Sequence, residues 1–305
     1  MPLVSVIMNV RNGAATLPEA IESVLAQSFA DWELIVWDDC STDDSAEVVA
    51  RYSDSRIRYY FSPDDVSLGK ARSHAVEHAG GEWLAFLDQD DVWLPHKLER
   101  QMALAGDDVG LIYGRTIRFY PGGRERDYDH AHEYALLPEG DIFRQLFTKS
   151  CFIAMSSAVF RRAAVKAVGG IPAEIRIIPD YYLYVAVAEK YRARAMQPPV
   201  CRYRMSPGSM SQVTALEMHR EALWLIDHWA PRLDAPTVTL ARRRHLTALA
   251  LEELRSPATF VRGLNRLLTE GSPGSQLARP FLFLFHLLRR NLKPPYWRRL
   301  GEKQG

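Results

Sequence analysis

Three carboxylates, Asp88, Asp90 and Asp91, follow directly behind the apolar run WLAFL at residues 83–87. Carboxylates this close together repel one another and persist only where something offsets their charge. One explanation is a hard divalent cation, Mg²⁺ or Mn²⁺, which proteins hold with one or two carboxylates plus substrate phosphates. The alternative is a solvated acidic loop ahead of a helix that starts near Pro95, and a D-x-D pattern alone favours this alternative.

The elements that position these acids are short strands that alternate with helices over the first hundred or so residues. The β-rich runs are VSVIMNV (4–10), WELIVW (32–37), IRYYF (57–61) and WLAFL (83–87). Between them, a helical pattern has Pro18 in its first turn, STDDS supplies helix caps, and GKARSHAVEHAGG predicts a helix that stops at paired glycines. This alternation predicts a largely parallel, doubly wound α/β sheet.

Polar side chains stand where three of these strands end. NVRN follows the first strand, Asp38 and Asp39 follow the second, and Asp88 to Asp91 follow the fourth. In open α/β sheets, ligands bind beyond the carboxyl ends of the strands. We therefore expect these acids to share one crevice, which strengthens the case for a cation.

The rest of the chain changes character twice. Residues 119–150 are polar and predict loops, after which SSAVFRRAAVKAVGG predicts a strand that enters a helix and DYYLYVAVAEKYRA predicts a further helix. Beyond about residue 212 the pattern becomes helical, and EGSPGS (270–275) is the clearest linker. We expect an α/β domain over residues 1–211 and a helical region over residues 212–305.

Bulk composition excludes several classes of protein. The 38 basic and 37 acidic side chains of the 305 residues leave a net charge of +1, which gives no indication of nucleic-acid binding. The cysteines Cys40, Cys151 and Cys201 fit neither a zinc site nor a disulfide framework, which predicts a reducing cytoplasm. The amino terminus lacks a secretory pattern, and the run FLFLF (281–285) is too short to span a bilayer, so we expect no transmembrane helix.

Two spaced segments carry a family resemblance. The stretch from VSVIMNVRNGAATL to DDCSTDDS, followed by GKARSHAVEHAGGEWLAFLDQDDVWLPHKLE, resembles the family 2 inverting glycosyltransferases of the GT-A fold. The resemblance is strong over residues 3 to about 104, weaker from 150 to 211, and absent beyond. It implies an α/β fold of GT-A type, a Rossmann-like, mixed but mostly parallel sheet flanked by helices, with a helical C-terminal extension.

The resemblance also assigns residues to the donor base. Asn9, Val10 and Arg11, at the start of the NVRN loop, match positions that hold the nucleotide base, and Asp39 matches a carboxylate that accepts the imide N–H of uracil or thymine. Arg11 stands where the family commonly places an aromatic side chain, and a guanidinium plane can also stack on a base.

The acids behind the fourth strand match the remainder of the donor site. Asp88 matches the acid that faces the ribose, and Asp90 matches the acid that binds Mn²⁺ or Mg²⁺ on the donor diphosphate. Arg72 matches an arginine near the diphosphate. A buried ion pair between Arg72 and one of the acids is the alternative for that residue.

Asp180 is the expected catalytic base. IPDYYLYVAVAEKYRA resembles the family's Glu-Asp motif at a helix start, and there Pro179 replaces the Glu. A helix N-terminus stabilises an ionised carboxylate, and Pro179 favours an extended Ile178 before it. On spacing alone, an ordinary N-terminal helix carboxylate explains Asp180 as well. YRMSPGSMS (203–211) resembles the donor-side segment that follows, with Ser206 where the family often has His.

Two further segments have open interpretations. DYDHAHE (127–133) contains His130 and His132, and we expect a loop on the acceptor side there rather than a metal site. The tail over 279–303 has seven basic residues against one acid among aromatic and aliphatic side chains, which suits an anionic membrane face or packing on the helical region equally.

These observations together predict a metal-dependent, inverting hexosyltransferase. Its donor is expected to be a UDP- or dTDP-sugar and its acceptor a glycan or lipid-linked glycan of cell-surface polysaccharide synthesis, at the cytoplasmic face of the membrane. The alternatives are a catalytically inactive nucleotide-sugar binding protein, a two-carboxylate glycoside hydrolase, and a receiver-like signalling domain, for which the chain is too long.

Overall fold

The computed structural model describes most of the chain up to residue 255. The described residues are 2–120, 125–126, 134–149, 151–172, 175–205, 215–255, 259–260, 262–263 and 266. The predictions for His130 and His132, Ser206, the linker 270–275 and the tail 279–303 concern residues outside this set.

Within the described residues, one sheet of nine strands organises the fold. Its order is β3-β2-β1-β4-β8-β6-β9-β5, with β7 paired to β6. The strands are β1 Val4–Val10, β2 Trp32–Asp39, β3 Ile57–Ser62, β4 Trp83–Phe86, β5 Val92–Trp93, β6 Val109–Phe119, β7 Glu125–Arg126, β8 Val159–Arg161 and β9 Arg192–Arg204. The first four strands, which the sequence predicts within two residues at each end, pair in parallel, whereas β8 runs antiparallel between β4 and β6.

Helices cover both faces of this sheet. They are α1 Leu17–Leu25, α2 Ser45–Ala50, α3 Leu68–Glu77, α4 Lys97–Met102, α5 Phe143–Thr148, α6 Arg162–Ala167, α7 Pro179–Ala188, α8 Ala215–Trp229 and α9 Ala235–Arg255. Side chains alternate along β1, so that Val6 and Met8 join the core under α1, whereas Ile7 joins the core under α3 and α7. The mixed, mostly parallel sheet between helices confirms the predicted fold class.

Helix α3 ends earlier than its sequence predicts. It stops at Glu77, and the N–H groups of His78 and Ala79 then donate to carbonyls three residues back, in a tightened last turn. Of the two glycines beyond the helix, Gly81 is required by packing, because a Cβ there would lie 2.6 Å from the backbone nitrogen of Ser5. Gly81 therefore permits the chain to pass close against β1.

Contacts divide the chain into two units, residues 1–245 and 246–305. The first unit contains the sheet and helices α1 to α8. In the second, the Arg266 Nε lies 3.1 Å from a carboxylate oxygen of the buried Glu253. No helix among the described residues is long and apolar enough to cross a membrane. The predicted functional division between residues 211 and 212 stays a prediction.

Candidate functional site

The carboxyl ends of β1 and β2 are joined by two turns with unusual backbone geometry. Asn12 and Cys40 have φ angles of 50° and 61°, a region that non-glycine residues seldom adopt. The turns hold each other, since Asn12 Oδ1 accepts the N–H of Thr42 at 2.8 Å and Ser41 Oγ accepts the N–H of Asn12 at 2.9 Å. Strained backbone of this kind concentrates at functional sites.

Asn9 and Asp39 present unsatisfied polar atoms at these strand ends. Among the described residues, neither the buried Nδ2 of Asn9 nor the buried Oδ1 of Asp39 has a hydrogen-bond partner. Burial raises the pKa of Asp39, while nearby Arg11 and the N–H of Val66 lower it. An unpaired donor and an unpaired acceptor in buried positions are expected to pair with a ligand.

Arg11 lies beside Asp39 and is held at two places. Its guanidinium makes a two-pronged ion pair with Asp65, in which both side chains are exposed. Its backbone exchanges hydrogen bonds with the Gln89 amide, 2.8 Å from the Arg11 N to Oε1 and 3.1 Å from Nε2 to the Arg11 O. Gln89 thereby ties the β1 end to the acidic segment after β4. The side chain of Val10 lies in the core, so only its backbone is available to a ligand.

Asp38 has a structural environment that differs from that of Asp39. Its oxygens accept hydrogen bonds from the N–H of Ser41 at 2.9 Å and the hydroxyl of Tyr59 at 2.8 Å. Of the two acids that end β2, only Asp39 has an oxygen without a partner in the described part of the chain. The Asp38 carboxylate stabilises the turn and the β2–β3 pair.

Arg72 joins the acids of two distant segments. Its Nη2 donates to Asp88 Oδ1 at 2.9 Å, in an ion pair whose arginine is buried. Burial lowers the pKa of Arg72, but Asp88 and then Asp180 outweigh that effect and hold the pKa above its ordinary value. Its Nη1 is buried and has no partner among the described residues. The guanidinium therefore retains one unsatisfied nitrogen between the two acids.

The segment after β4 is fixed by contacts with β9. The N–H of Arg204 donates to Asp91 Oδ1 at 2.8 Å, and its Nε donates to the backbone oxygen of Asp90 at 2.7 Å. Burial, with Asp88 and Asp90 adding to it, holds the pKa of Asp91 well above its usual range. Burial and the charge of Asp88 raise the pKa of the half-buried Asp90 to about 6. Both shifts report the mutual repulsion that clustered carboxylates predict.

A divalent cation fits this segment only if the protein and a bound phosphate group both supply its ligands. Within the described residues, no three His, Cys, Asp or Glu side chains are arranged to hold a metal. No side chain of that part of the chain donates a hydrogen bond to Asp90, whereas Asp88 is paired to Arg72 and Asp91 to the Arg204 N–H. The excess negative charge suits a cation that takes its remaining ligands from phosphate oxygens.

Asp180 lies in the first turn of α7 and faces the same cluster. Its Oδ1 accepts the N–H of Tyr181 at 2.9 Å, as a carboxylate at a helix N-terminus should. Burial nonetheless raises its pKa, although Arg72 and the Tyr181 N–H lower it. The expectation of an extended Ile178 is wrong, because its ψ of 47° lies outside the extended region. Asp180 thus lies close enough to Arg72 and Asp88 for their charges to act on its carboxylate.

Several residues that shape the site are not predicted from the sequence. Tyr203 on β9 is close enough to Asp91, Asp88, Asp90 and then Asp180 that these acids, together with burial, raise its pKa. Gln89 lies within the acidic motif itself, but nothing in its spacing indicates that it bonds to Arg11. Arg204 contacts acids 113 and 114 residues away in the chain, a pairing that no local pattern predicts.

The fold is that of the GT-A glycosyltransferases. The structure is similar to that of TarS from S. aureus in complex with UDP-GlcNAc, with a TM-score of 0.67 at 17% identity over 88% of this chain and 81% of that one. It is also similar to a mannosyltransferase from Pyrobaculum calidifontis in complex with GDP-Man and Mn²⁺, with a TM-score of 0.62 at 20% identity over 97% and 82% of the chains. At these identities the likeness establishes the fold.

Sequence similarity establishes the family. Residues 5–169 match the family described as Glycosyl transferase family 2, and the chain belongs to that family. A β-1,3-glucosyltransferase from Escherichia coli, named for UDP-Glc and α-D-GlcNAc-diphosphoundecaprenol, is 30% identical over 72% of this chain and 83% of its own. The succinoglycan biosynthesis protein ExoO of Rhizobium meliloti is 28% identical over 92% of this chain and 83% of its own. The chain is therefore a glycosyltransferase of family 2, as predicted.

Proposed function

We propose that the protein transfers a sugar from a UDP- or dTDP-sugar to a hydroxyl of a lipid-linked saccharide, with inversion at the anomeric carbon. The observation that carries this proposal is the guanidinium of Arg72, which brings Asp180 to the acids behind β4. Inverting transfer needs a base on the face of the sugar opposite the leaving diphosphate, and this arrangement supplies one beside a donor site.

The base pocket supports a pyrimidine donor. Asp39 Oδ1 is an unpaired acceptor that suits an imide N–H, and Asn9 Nδ2 is an unpaired donor that suits a carbonyl oxygen. Uracil and thymine carry both groups side by side. Arg11, which Asp65 and Gln89 hold in place, adds a guanidinium beside this pocket for the face of the base.

The diphosphate is assigned to the segment after β4. Asp90 would hold Mn²⁺ or Mg²⁺ together with the phosphate oxygens, and Asp88 would face the ribose. When bound, this cation would stabilise the negative charge that develops on the departing diphosphate. Among the described residues, the Nη1 of Arg72 is a buried nitrogen without a partner, and it would be available to an anion there. Ser156 Oγ keeps Asp88 in place by accepting its N–H at 3.0 Å.

Asp180 is assigned the role of general base. Its Oδ1 is occupied by the Tyr181 N–H, which leaves Oδ2 to take the proton from the acceptor hydroxyl. The hydroxyl oxygen forms a bond to the anomeric carbon, and the bond from that carbon to the diphosphate oxygen breaks. Burial raises the pKa of Asp180, which makes it a stronger base than an exposed aspartate.

The proposed class of acceptor is supported by the names of two relatives. The names of two E. coli relatives specify a sugar carried on diphosphoundecaprenol, and both are about 30% identical to this chain over some 72% of it. A lipid-linked acceptor would place the reaction at the cytoplasmic face of a membrane. We assign donor binding and catalysis to residues 1–211 and treat residues 212–305, whose sequence pattern is helical, as a separate region.

Thermal unfolding with nucleotides tests the donor site. UDP, dTDP, GDP and CMP are each added with and without Mn²⁺ to the wild type, Asp39→Asn, Asp90→Ala and a control, Asp31→Ala. Asp31 is exposed and precedes the amino end of β2, at the opposite edge of the sheet. A ligand at 100 times its Kd stabilises the fold by about 2.7 kcal/mol, enough for a clear shift.

The expected result is a shift with UDP or dTDP that requires Mn²⁺, survives in the control and disappears in Asp90→Ala. Asp39→Asn is expected to lose the preference for pyrimidine diphosphates, because an amide in its place changes the hydrogen bonds offered to the base. No shift with any nucleotide would overturn the donor site. Nucleotide binding without transfer to any saccharide acceptor would favour a catalytically inactive binding protein.

A further inference from the structure

Helix α7 carries Asp180 but does not cap its own N-terminus. Its N-cap residue, Ile178, has an apolar side chain, and Pro179 follows it at the first helical position. The N–H groups that precede the helix therefore need acceptors from elsewhere, since buried backbone donors are almost always paired.

Glu221 of α8 supplies those acceptors. Its Oε1 accepts the N–H of Arg176 at 3.0 Å, and its Oε2 accepts those of Ile177 and Ile178 at 2.9 and 3.0 Å. One carboxylate thus holds three consecutive backbone donors directly before the first turn of α7. These charge-assisted hydrogen bonds explain why Ile178 departs from the extended conformation that Pro179 favours.

Helix α8 also holds the other end of α7. Trp229 Nε1 donates to Glu189 Oε2 at 3.0 Å, and Glu189 is the C-cap of α7. Arg232, just beyond α8, forms an ion pair with the same carboxylate. The Trp229 ring lies 5.3 Å from that of Tyr182 within the shared core.

The spacing of these contacts matches the length of the helix they hold. Glu221 and Trp229 are about 12 Å apart along α8 at 1.5 Å per residue, and the ten residues of α7 span about 15 Å. Helix α8 therefore lies along α7 and fixes it at both ends. The position of the Asp180 carboxylate relative to Arg72 depends on this attachment, because Asp180 lies only two residues after Ile178.

We propose that Glu221 is a positioning residue for the transfer reaction, which fixes the N-terminus of α7 and thereby the Asp180 carboxylate in its reactive place. This inference rests on the proposed role of Asp180 as the base. Glu221 touches neither the donor site nor Asp180 directly, so it acts through the backbone of residues 176–178.

The experiment compares Glu221→Ala and Glu221→Gln with Glu217→Ala, a control one turn earlier on the same helix. Among the described residues, Glu217 makes a surface ion pair with Arg220 at 3.6 Å and no other side-chain hydrogen bond or ion pair. Each variant is measured for kcat, for the KM of the UDP-sugar and for the thermal shift produced by UDP with Mn²⁺. Glu221→Ala is also combined with Asp180→Asn.

Glu221→Ala is expected to lower kcat by about 10- to 100-fold, because a 1 Å displacement of a catalytic group has effects of that order. The donor KM and the UDP shift are expected to stay within about twofold of the wild type, and Glu217→Ala to match the wild type in all three. Glu221→Gln is expected to recover most of the activity, because its amide oxygen can still accept the N–H groups of Ile177 and Ile178. If the Ala variant does not fold, the kcat of the Gln variant tests the positioning role instead. In the Asp180→Asn background, Glu221→Ala should cause no further loss.

Two contrary outcomes separate the two ideas. If Asp180→Asn retains full transfer, the proposed base is wrong, and Glu221 then has no catalytic group to position. If Asp180→Asn loses transfer but Glu221→Ala behaves like Glu217→Ala, the base stands and the positioning role is overturned. A loss of UDP binding in Glu221→Ala, or a further loss in the double variant, would show a general structural role instead.

Discussion

Lys97 offers a test of the packing behind the acidic segment. Its side chain is fully buried, with Nζ 4.1 Å from the centre of the Trp93 ring and 2.7 Å from Gln101 Oε1. Burial lowers its pKa to about 7, while nearby Cys201 opposes the shift. No carboxylate pairs with this amine among the described residues, so we predict that Lys97→Met removes a pH-dependent cost of folding.

The sign and size of the effect follow from proton linkage. A lysine in the unfolded chain has a pKa near 10.4, so between about pH 7 and 10 the unfolded chain holds a proton that the folded protein has released. The free energy of unfolding of the wild type therefore rises with pH in this window and is lowest below pH 7. With a folded pKa of about 7, the contribution of Lys97 grows by about 2 kcal/mol from pH 7 to pH 9.

The assay is urea unfolding of the wild type and Lys97→Met at pH 7, 8 and 9. The stability of the wild type relative to the variant is expected to increase by about 2 kcal/mol across this range. The loss of the Gln101 hydrogen bond is common to every pH and cancels in the comparison. Lys70→Met, which removes an exposed charge from α3, is the control. A relative stability of Lys97→Met that is the same at pH 7 and pH 9 would refute the buried, largely neutral amine.

Two further predictions concern the site and its scaffold. Because Arg72 lowers the pKa of Asp180, we expect Arg72→Gln to move the acid limb of the kcat/KM profile for transfer to higher pH. An acid limb that does not move in pH–rate measurements would show that Arg72 does not act on the base. Gly81→Ala is expected to destabilise the fold by about 1–3 kcal/mol in urea unfolding, since its Cβ would meet the backbone of Ser5 at 2.6 Å. Gly106→Ala, whose Cβ meets only side-chain atoms at 3.4 Å or more, should be far milder, and equal costs would contradict the close approach to β1.

Local patterns predict the first half of the sheet well. The runs that become β1 to β4 contain β-branched and aromatic residues bounded by polar turns, and short helices separate them, so the order of elements follows from periodicity. The acids lie at strand ends for the same reason. Pro18 at the start of α1 and Gly169 beyond α6, with a φ of 82°, also occupy the helix boundaries that their chemistry predicts.

The second half of the sheet depends on contacts that sequence spacing does not encode. The sequence predicts a strand in the segment that contains β8, but nothing in its three residues indicates that it runs antiparallel between β4 and β6. Strand β9 returns to β5 and carries Arg204 to the acidic segment. Asp38 and Asp39 are adjacent and chemically identical, and only the fold shows that Tyr59 and Ser41 occupy one while the other keeps an unpaired oxygen.

The assignment of Asp180 as the base is tested most directly by transfer from a UDP- or dTDP-sugar to a lipid-diphosphate-linked saccharide, measured in the wild type and in Asp180→Asn, with UDP binding followed in parallel. Asparagine keeps the size of the side chain but cannot take the proton. The variant is expected to bind UDP like the wild type and to lose transfer by about 100-fold or more, the usual contribution of a general base. Transfer at the wild-type rate by Asp180→Asn would contradict the assignment.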